Sequence, residues 1–543
     1  MTNDKDSDDH SEIPESSIEP HFEPTPLSQN RKLLSAVSML AVANVIQRLL
    51  GLGREAVKVA FFGATGTLDA FNLAAEMPQT FYQLIAGGEM INSSLVPIFS
   101  EYAAKKQRDE LWSAVSICLS LVTVIMVVFV IVVETFTPVV AQLIGAGELT
   151  DPSLFQLTVD LMRMTAPVML FLSVSSIITA ALNSLERFTL PAFTISLYNG
   201  SIILSAVLFP NAVGALAWGM LIGSILMIAL QVPGLHDAKL RFHLEWRHPI
   251  VRRIMRLYAP ILLGLFVNQF SLLFGYRLAA GTGNGSVTLM RTSTTLYQLP
   301  IGLVVVALST AILPTLSQQA NRPLAEFKRT LAEGLRLVIA LVFPAAAGLF
   351  VLAPAIITLL FQRGEFLAAD TALAAQILRI DLFGLPFAGI DLMLIYASYA
   401  RKDTLRPALV GVASVIFYVI AASILTERLG LPGLMAANAG KIIVHTILMF
   451  ILLQRNLDGL RGFGISGVFV RSLFAALIMG LISWVLWFYL DSWLQQGNFI
   501  ARLVPVLIPG GAGLFIYLLM ANLLGIEEAQ HLTRLLPFMS KSN

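Results

Sequence analysis

Long apolar segments separated by short polar loops constrain the fold of this chain more than any other feature. At about 1.5 Å per residue, each segment is long enough to cross a ~30 Å hydrocarbon core as a helix. Only helices and closed barrels satisfy their backbone groups in lipid, so these segments predict membrane-spanning helices. Fourteen segments are found, near residues 33–62, 69–100, 111–144, 154–183, 188–209, 212–235, 250–279, 286–317, 331–361, 369–399, 405–426, 431–454, 468–490 and 501–524.

Composition agrees with an all-α polytopic membrane protein. Hydrophobic residues make up 56% of the chain, charged residues only 13%, and the mean hydropathy is +0.76. A soluble domain is not this apolar. The net charge of +2 gives no reason to expect a nucleic-acid partner. The single cysteine, Cys118, excludes an internal disulfide and a cysteine-based metal site.

Residues 1–30 differ from the rest of the chain. They hold eight acidic residues and one basic residue, Lys5, with Pro and Ser interspersed. Such a segment is predicted to be a disordered acidic tail, either a solvated spacer or a binding segment. The acidic tail precedes the first apolar segment and no basic region opens the chain as in a cleavable signal, so that segment is predicted to be an uncleaved anchor.

Basic residues predict the orientation. They are concentrated in alternate loops, such as those holding Lys105, Arg187, Arg401 and the stretch 239–256, whereas the opposite loops hold few. By the positive-inside rule the basic loops face the cytoplasm. With an even helix count, both termini are predicted to be cytoplasmic.

An internal repeat divides the chain into two halves. Leu95-Val-Pro97-Ile-Phe-Ser100 recurs as Ile312-Leu-Pro314-Thr-Leu-Ser317, and Gly147-Glu148 recurs as Gly364-Glu365, at offsets of 216 or 217 residues. Six helices per half, an even number, predict parallel repeats about an axis along the membrane normal, with a substrate site between them. The predicted parts are an N-lobe (31–235), an interlobe linker (236–256), a C-lobe (257–455), and a region (456–543) that holds helices thirteen and fourteen.

The linker is basic and carries Leu240, Phe242, Leu244 and Trp246 among its charges. Two interpretations are open. The linker either lies in the membrane interface and attracts anionic lipid, or simply joins the two halves.

The first apolar segment carries four charges, Arg48, Arg54, Glu55 and Lys58. Each cation costs roughly 2.5–3.5 kcal/mol near the bilayer centre, so the cluster is predicted to face a polar cavity. Gly51 and Gly53 are predicted to bend the helix, so that both arginines grip a diphosphate. The alternative is that the charges lie at a helix end and pair locally, as Arg54 with Glu55.

Further ionisable residues lie in other apolar segments. Arg291 is a candidate third phosphate contact, or snorkels to the outer interface, and Glu89 is a candidate partner for Arg48 or Arg54 or a proton acceptor. Asp381, Asp391 and Lys441, with Glu55, are candidate ion-coupling residues; the alternative for the first three is plain interhelical pairing. No carboxylate or histidine cluster suggests a metal or cofactor site or an enzyme.

A longer string of residues resembles a known family. The matching positions are Arg48, Leu50, Gly51, Arg54-Glu55, Phe62-Gly63-Ala64, Thr67, Asp69-Ala70-Phe71, Pro78, Val96-Pro97, Phe99, Glu101-Tyr102, Leu299-Pro300, Gly302, Leu313-Pro314 and Leu316-Ser317. They look like the signature of the MurJ (MviN) lipid II flippases, within the multidrug/oligosaccharidyl-lipid/polysaccharide exporter superfamily. The resemblance implies two six-helix lobes plus two helices that extend a groove for a polyprenyl tail. It also implies that Asp69 pairs with a cavity arginine.

The resemblance implies a flippase that moves lipid II, an undecaprenyl-diphosphate-linked peptidoglycan precursor, to the outer leaflet by alternating access. Cell-wall synthesis proteins are candidate partners. Two cavity cations usual in the family are missing or displaced, since Phe81-Tyr82 stands at one position and Thr295 at another. The alternatives are a flippase for another polyprenyl-linked glycan, a cation-coupled exporter, or a non-transporting scaffold.

Overall fold

The computed structural model describes residues 27–105, 107–320, 322–460, 462–494 and 498–529. The side chains of residues 27–38, 41, 89, 92 and 260 lie outside this description. Within it, helices joined by short loops form the whole structure, as the apolar segments predict. The predicted disordered tail, residues 1–30, lies almost entirely outside the described residues.

The first half contains nine α-helices. Its second membrane pass is interrupted, because a bend at Gly87 and a π-helical turn at Ile91–Leu95 separate three of these helices. The bounds are α1 (Leu27–Phe62), α2 (Gly66–Ala86), α3 (Gly88–Met90), α4 (Val96–Ala104), α5 (Arg108–Leu143), α6 (Pro152–Thr165), α7 (Val168–Ser184), α8 (Thr189–Leu208) and α9 (Val213–Gln231).

The second half repeats this plan. Its second pass is also interrupted by a π-helical turn, Ile301–Val305, which follows Pro300. The bounds are α10 (Pro249–Ala280), α11 (Ser286–Pro300), α12 (Val306–Gln319), α13 (Leu324–Leu360), α14 (Ala368–Asp381), α15 (Leu385–Ala400), α16 (Leu405–Leu429) and α17 (Leu431–Asn456). Two further helices, α18 (Ile465–Trp493) and α19 (Phe499–Leu523), pack against each other and against α13.

Twelve stretches of the described residues are long and apolar enough to span a membrane. Fourteen were predicted from the sequence. The two that do not qualify are α1, which carries the charges of the first segment, and the interrupted run α2–α4. The polytopic helical fold is therefore confirmed, and the count of fourteen is approximate.

Contacts between the halves have a reciprocal pattern. In one contact, the backbone N–H of Glu365 donates to the carbonyl of Ala60 at the end of α1. In the equivalent contact, the Glu148 carboxylate accepts from Arg277 at the end of α10, 3.1 Å away. Ala60 and Arg277 are one repeat apart, as are Glu148 and Glu365. Such reciprocity is expected of two similar units related by a twofold axis.

These contacts lie at the end of the bundle where α1 ends and α2 begins, here called the closed end. The opposite end, which carries the basic loops, is here called the basic end. At the closed end, Gly285 has a φ of +84°, and an added Cβ would collide with the carbonyl of Ala64. The two halves therefore touch backbone to backbone there. At the basic end, α10 bridges the halves through an ion pair between Arg253 and Glu101.

Candidate functional site

A buried network of charges joins the two halves between α1, α2 and α11. On α1, Glu55 accepts from Arg54 at 2.7 Å and from Lys58 at 2.7 Å. From the second half, Arg291 donates to Glu76 of α2 at 2.9 Å and lies 3.6 Å from Glu55. Three cations therefore share two carboxylates, which leaves the network with one excess positive charge.

Burial makes this network sensitive to the loss of any member. The side chains of Glu55 and Lys58 are only 4% and 3% exposed, and that of Arg291 is 14% exposed. A buried ion loses its hydration, and its partners compensate only while each charge has a counter-charge and hydrogen bonds. Additional polar partners are present, since Arg54 donates to Asn199 of α8 and Arg291 donates to the Tyr276 hydroxyl.

The network continues to the closed end through hydrogen bonds. Lys58 donates to Asn72 at 3.0 Å, and Asn72 donates to the Thr288 hydroxyl of the second half at 3.0 Å. The Thr288 hydroxyl donates in turn to Asp69 at 2.7 Å. An unbroken chain of polar contacts therefore runs from Glu55 to the start of α11.

The Asp69 carboxylate caps the N-terminus of α11. Its carboxylate accepts from the backbone N–H of Gly285 at 2.7 Å and of Thr288 at 2.8 Å. The first N–H groups of a helix lack partners within the helix and carry partial positive charge, so a carboxylate there is stabilising. The predicted pairing of Asp69 with a cavity arginine is therefore wrong; this carboxylate from one half caps a helix of the other.

Arg48 differs from the other cations in having no ion pair or hydrogen bond with the residues that the structure describes. Its guanidinium lies against Gly302 of the second half, where any side chain at position 302 would collide with it. At 1.5 Å per residue it lies about 21 Å along α1 from the closed end, against about 12 Å for Arg54. Arg48 is thus a partly buried cation available to an anion.

The predicted bend of α1 is not observed. The helix continues through Gly51 and Gly53, and both glycines face α8, near Asn199 and Ile203. Their small size permits close packing of α1 on α8 rather than a break. Arg48 and Arg54 therefore point to different surroundings, as six residues of regular helix dictate, and Arg54 is already paired with Glu55. The alternative of local pairing is observed for Arg54.

Glu89 lies in α3, and its side chain is outside the part of the chain that the structure describes. The remaining predicted residues lie in the second half. Asp391 of α15 is 2.7 Å from the His445 ring of α17. Asp381 accepts from Asn438, and Lys441 donates to Ser271 at 3.1 Å and lies 4.7 Å from the centre of the Tyr418 ring.

Asp381 has one carboxylate oxygen, Oδ2, that is buried and has no hydrogen-bond partner among the described residues. The nearby Tyr297 hydroxyl is likewise buried without a partner. Asp381, Asn438, Lys441, Tyr297 and Ser271 form a polar cluster contributed by α10, α11, α14 and α17. Within the described residues, no group of three or more His, Cys, Asp or Glu side chains is placed to hold a metal ion.

Sequence reasoning missed Glu76, the main partner of Arg291. Two signals pointed to it. Glu76 lies seven residues after Asp69, which places both carboxylates on one face of a helix. It also lies 215 residues before Arg291, close to the repeat offset. The helices that carry these residues, α2 and α11, are equivalent members of the repeat and face each other across the twofold axis.

The cap by Asp69 leads to a testable expectation for the closed end. In an Asp69→Asn variant the cap loses its charge, and we expect the closed state to lose about 0.5–2 kcal/mol of stabilisation, or roughly 2- to 30-fold in the equilibrium constant between the closed and open states. Thr150 and Asn284, hydrogen-bonded across the halves at 2.7 Å, provide sites for a cysteine pair. In a Cys118→Ala background, disulfide cross-linking of this pair should be slower than in the parent, at most by that factor.

Asp370 provides the control for this measurement. It caps α14 through the Leu367 N–H, at the same end of the bundle but within one half. An Asp370→Asn variant should cross-link as fast as the parent. Equal rates in the parent and the Asp69→Asn variant would mean that Asp69 does not hold the halves together.

Comparison with known proteins places this architecture among related transporters. Residues 58–504 match the family profile described as "Lipid II flippase MurJ". The chain is 30% identical over 459 residues to the probable lipid II flippase MurJ of Vibrio cholerae serotype O1, covering 81% of this chain and 84% of the relative.

Solved structures show the same fold. One is a lipid II flippase MurJ in an inward closed conformation, with a TM-score of 0.74 and 24% identity, covering 89% of this chain and 98% of the other. Another is an inward-facing multidrug resistance MATE family transporter of the MOP superfamily, with a TM-score of 0.68 and 15% identity, covering 78% of this chain and 99% of the other.

Proposed function

This chain belongs to the MurJ lipid II flippase family, and on that premise we propose that it is a lipid II flippase, which moves the lipid-linked peptidoglycan precursor between membrane leaflets. Transport of another glycan, cation-coupled export and a purely structural role are not favoured. The proposed activity is transport rather than catalysis, and its location is the bacterial inner membrane. The basic end of the bundle would face the cytoplasm, with both termini on that side.

The observation that carries this proposal is the excess of cations between the two halves. The substrate of a lipid II flippase carries a diphosphate, and guanidinium groups bind phosphate oxygens in pairs of charge-assisted hydrogen bonds. Arg48 would make the first contact, because its guanidinium is free of counter-charges among the described residues. Its position against Gly302 places that contact at the seam between the halves.

Arg54 and Arg291 would join after rearrangement. In the present conformation the carboxylates of Glu55 and Glu76 occupy the positions that phosphate oxygens would take on these cations. A diphosphate would compete with Glu55 and Glu76 for them. Arg48, Arg54 and Arg291 are therefore proposed as substrate contacts. Glu55 and Glu76 would compete with the diphosphate for Arg54 and Arg291.

This competition would couple substrate binding to opening of the closed end. Arg291 bridges the halves, and the contacts from Lys58 through Asn72 and Thr288 lead directly to the Asp69 cap. A change in the pairing of Glu55 would alter the hydrogen bond from Lys58 to Asn72, and through Thr288 the capping of α11 by Asp69. A ligand shifts such an equilibrium only by its differential affinity for the two states, and exchange of carboxylate for phosphate supplies one.

The polar cluster of Asp381 and Lys441 is proposed as the site that couples transport to an ion. Asp381 is the best candidate for proton uptake, because its buried Oδ2 has no hydrogen-bond partner among the described residues. Lys441 is a nearby cation. Asp391 and His445 are already paired, which supports a positioning role for them. Cell-wall synthesis proteins remain candidate partners.

Complementation tests the proposed function. In a bacterium depleted of its own lipid II flippase, expression of this chain should restore growth and cell shape. The purified chain, reconstituted in vesicles, should also move lipid II from one leaflet to the other. If neither occurs while the protein is folded and abundant in the membrane, lipid II is not its substrate.

A further inference from the structure

The segment 238–248 between the halves, here called the strap, lies along the first turns of α5 up to residue 245 and ends in a turn at residues 246–247. The backbone N–H of Arg241 donates to the Ser116 hydroxyl at 3.1 Å, and that of His243 donates to the Ser120 hydroxyl at 2.9 Å. Two residues of extended chain span about 6.6 Å and four residues of helix about 6 Å, so the two spacings match. The strap therefore follows the axis of α5 at this level.

The position of the strap along α5 corresponds to the edge of the membrane. The large exposed apolar side chains of α5 begin at Val127 and continue to Leu143, which marks the lipid-facing part of the helix. Ser120 precedes this part by about 10 Å, and Ser116 by about 16 Å, on the side of the basic end, at 1.5 Å per residue. A strap at that level meets the headgroups of one leaflet.

The strap presents both apolar and basic side chains at this level. Phe242 is 74% exposed and Trp246 is 55% exposed, with Leu240 and Leu244 also exposed. Exposed aromatic side chains are costly in water but are enriched at membrane interfaces. Arg241 and Arg247 alternate with them and are also exposed.

The acidic groups around the strap already have partners. Arg187 donates to Asp237 at 2.6 Å, Lys239 pairs with Asp109 at 2.7 Å, and Glu245 pairs with His243 at 2.9 Å. Hydrogen bonding to the Arg187 guanidinium lowers the pKa of the Asp237 carboxyl, which therefore stays ionised beside its partner. By contrast, Arg241 and Arg247 have no ion pair or side-chain hydrogen bond within the part of the chain that the structure describes.

From this arrangement we propose that the strap is a lipid-binding element, which inserts Phe242 and Trp246 among acyl chains and binds anionic phospholipid headgroups through Arg241 and Arg247. Because the strap joins the two halves, it tethers their junction to one leaflet. This site is separate from the charge network between the halves and does not depend on the identity of the transported molecule.

Lipid retention tests the headgroup part of the proposal. The full chain is placed in nanodiscs of phosphatidylcholine with 20% phosphatidylglycerol, extracted gently, and its bound lipids are counted by native mass spectrometry. Each basic residue near an anionic surface contributes about a fivefold preference, so Arg241→Gln/Arg247→Gln should lower phosphatidylglycerol retention by roughly 25-fold.

Arg322 and Arg329 provide the matched control. They lie at the same end of the bundle, and each pairs with a glutamate on α13. The variant Arg322→Gln/Arg329→Gln removes the same charge and should retain phosphatidylglycerol as the parent does. Equal losses in both variants would show a general charge effect and overturn the site, as would unchanged retention in the strap variant.

Depth measurement tests the insertion. A spin label at Phe242→Cys in the Cys118→Ala background should collide more often with oxygen than with a water-soluble nickel complex. A label at Glu326→Cys, an exposed position on α13, should show the reverse. A label at 242 with the accessibility of the one at 326 would place the strap in water, open to a soluble anionic partner, and would overturn the proposal.

Discussion

Replacement of Arg48 by alanine is expected to abolish complementation of a lipid II flippase deficiency without loss of the protein from the membrane. The guanidinium has no counter-charge among the described residues and lies at the seam between the halves, so its removal breaks no ion pair within that part of the chain. Two charge-assisted hydrogen bonds to a phosphate would be lost. At about 1.5–3 kcal/mol for each bond to a charged group, loss of one bond alone should weaken binding by roughly 10- to 150-fold, and loss of both by more. The measurement is lipid II binding to the purified protein, beside growth at matched abundance.

Three further variants sharpen this test. Arg48→Lys keeps the charge but loses the paired geometry, so partial function is expected. Gly302→Ala retains the Arg48 side chain but displaces its guanidinium, because the added methyl group would collide with it. The displaced group lies at the end of a flexible side chain, so the fold should persist while transport falls. Arg428→Ala, an exposed cation at the end of α16, should have no effect. If the Arg48→Ala variant binds and transports as the parent does, the proposed diphosphate contact is wrong.

The second large effect is expected at the bridge between Arg291 and Glu76. Arg291→Met leaves Glu76 buried without its cation and removes one of three cations around Glu55. Breaking a buried pair from one side costs about 3–5 kcal/mol, so we expect a lower apparent Tm and a lower membrane abundance. The measurement is thermal unfolding in detergent, together with the abundance in cells.

The double variant Arg291→Met/Glu76→Leu separates stability from function. Both charges are removed, and apolar side chains of similar volume replace them, so most of the lost stability should return. Transport should not return, because a cation of the site is missing. A double variant that transports normally would show that the bridge is only structural. If Arg291→Met alone is as stable as the parent, the bridge is not populated in the membrane.

Much of the fold was predictable because it depends on local chemistry. A lipid environment demands helices from apolar segments, and the interrupted second pass of each half lies near Pro97 and Pro300. The family predicted from Arg48, Asp69 and neighbouring residues is confirmed by the match over residues 58–504. The reciprocal contacts of Ala60 with Glu365 and of Arg277 with Glu148 follow the repeat offset, but the sequence alone did not predict them.

The pairing of buried charges was less predictable because it depends on distances between helices. The sequence indicated that Arg48, Arg54 and Arg291 are cations in apolar surroundings, and it offered the adjacent Glu55 as a partner of Arg54 only as an alternative. Packing of α11 against α2 places Glu76 beside Arg291, and this contact was not predicted. The repeat spacing relates Glu76 to Arg291, but the distance between their side chains is set only when the helices pack.

The sequence by itself determined that this chain is a two-half helical membrane protein with cations between its halves, since helix length, charge cost in lipid and repeat spacing are properties of the residues. The tertiary structure decided which of these cations has no counter-charge among the described residues. It also turned Asp69 from an expected arginine partner into the cap of α11. The physical reason is that a buried charge pairs with the nearest group of opposite charge or with a hydrogen-bond donor. The distances between groups of the two halves are set only when the helices have packed.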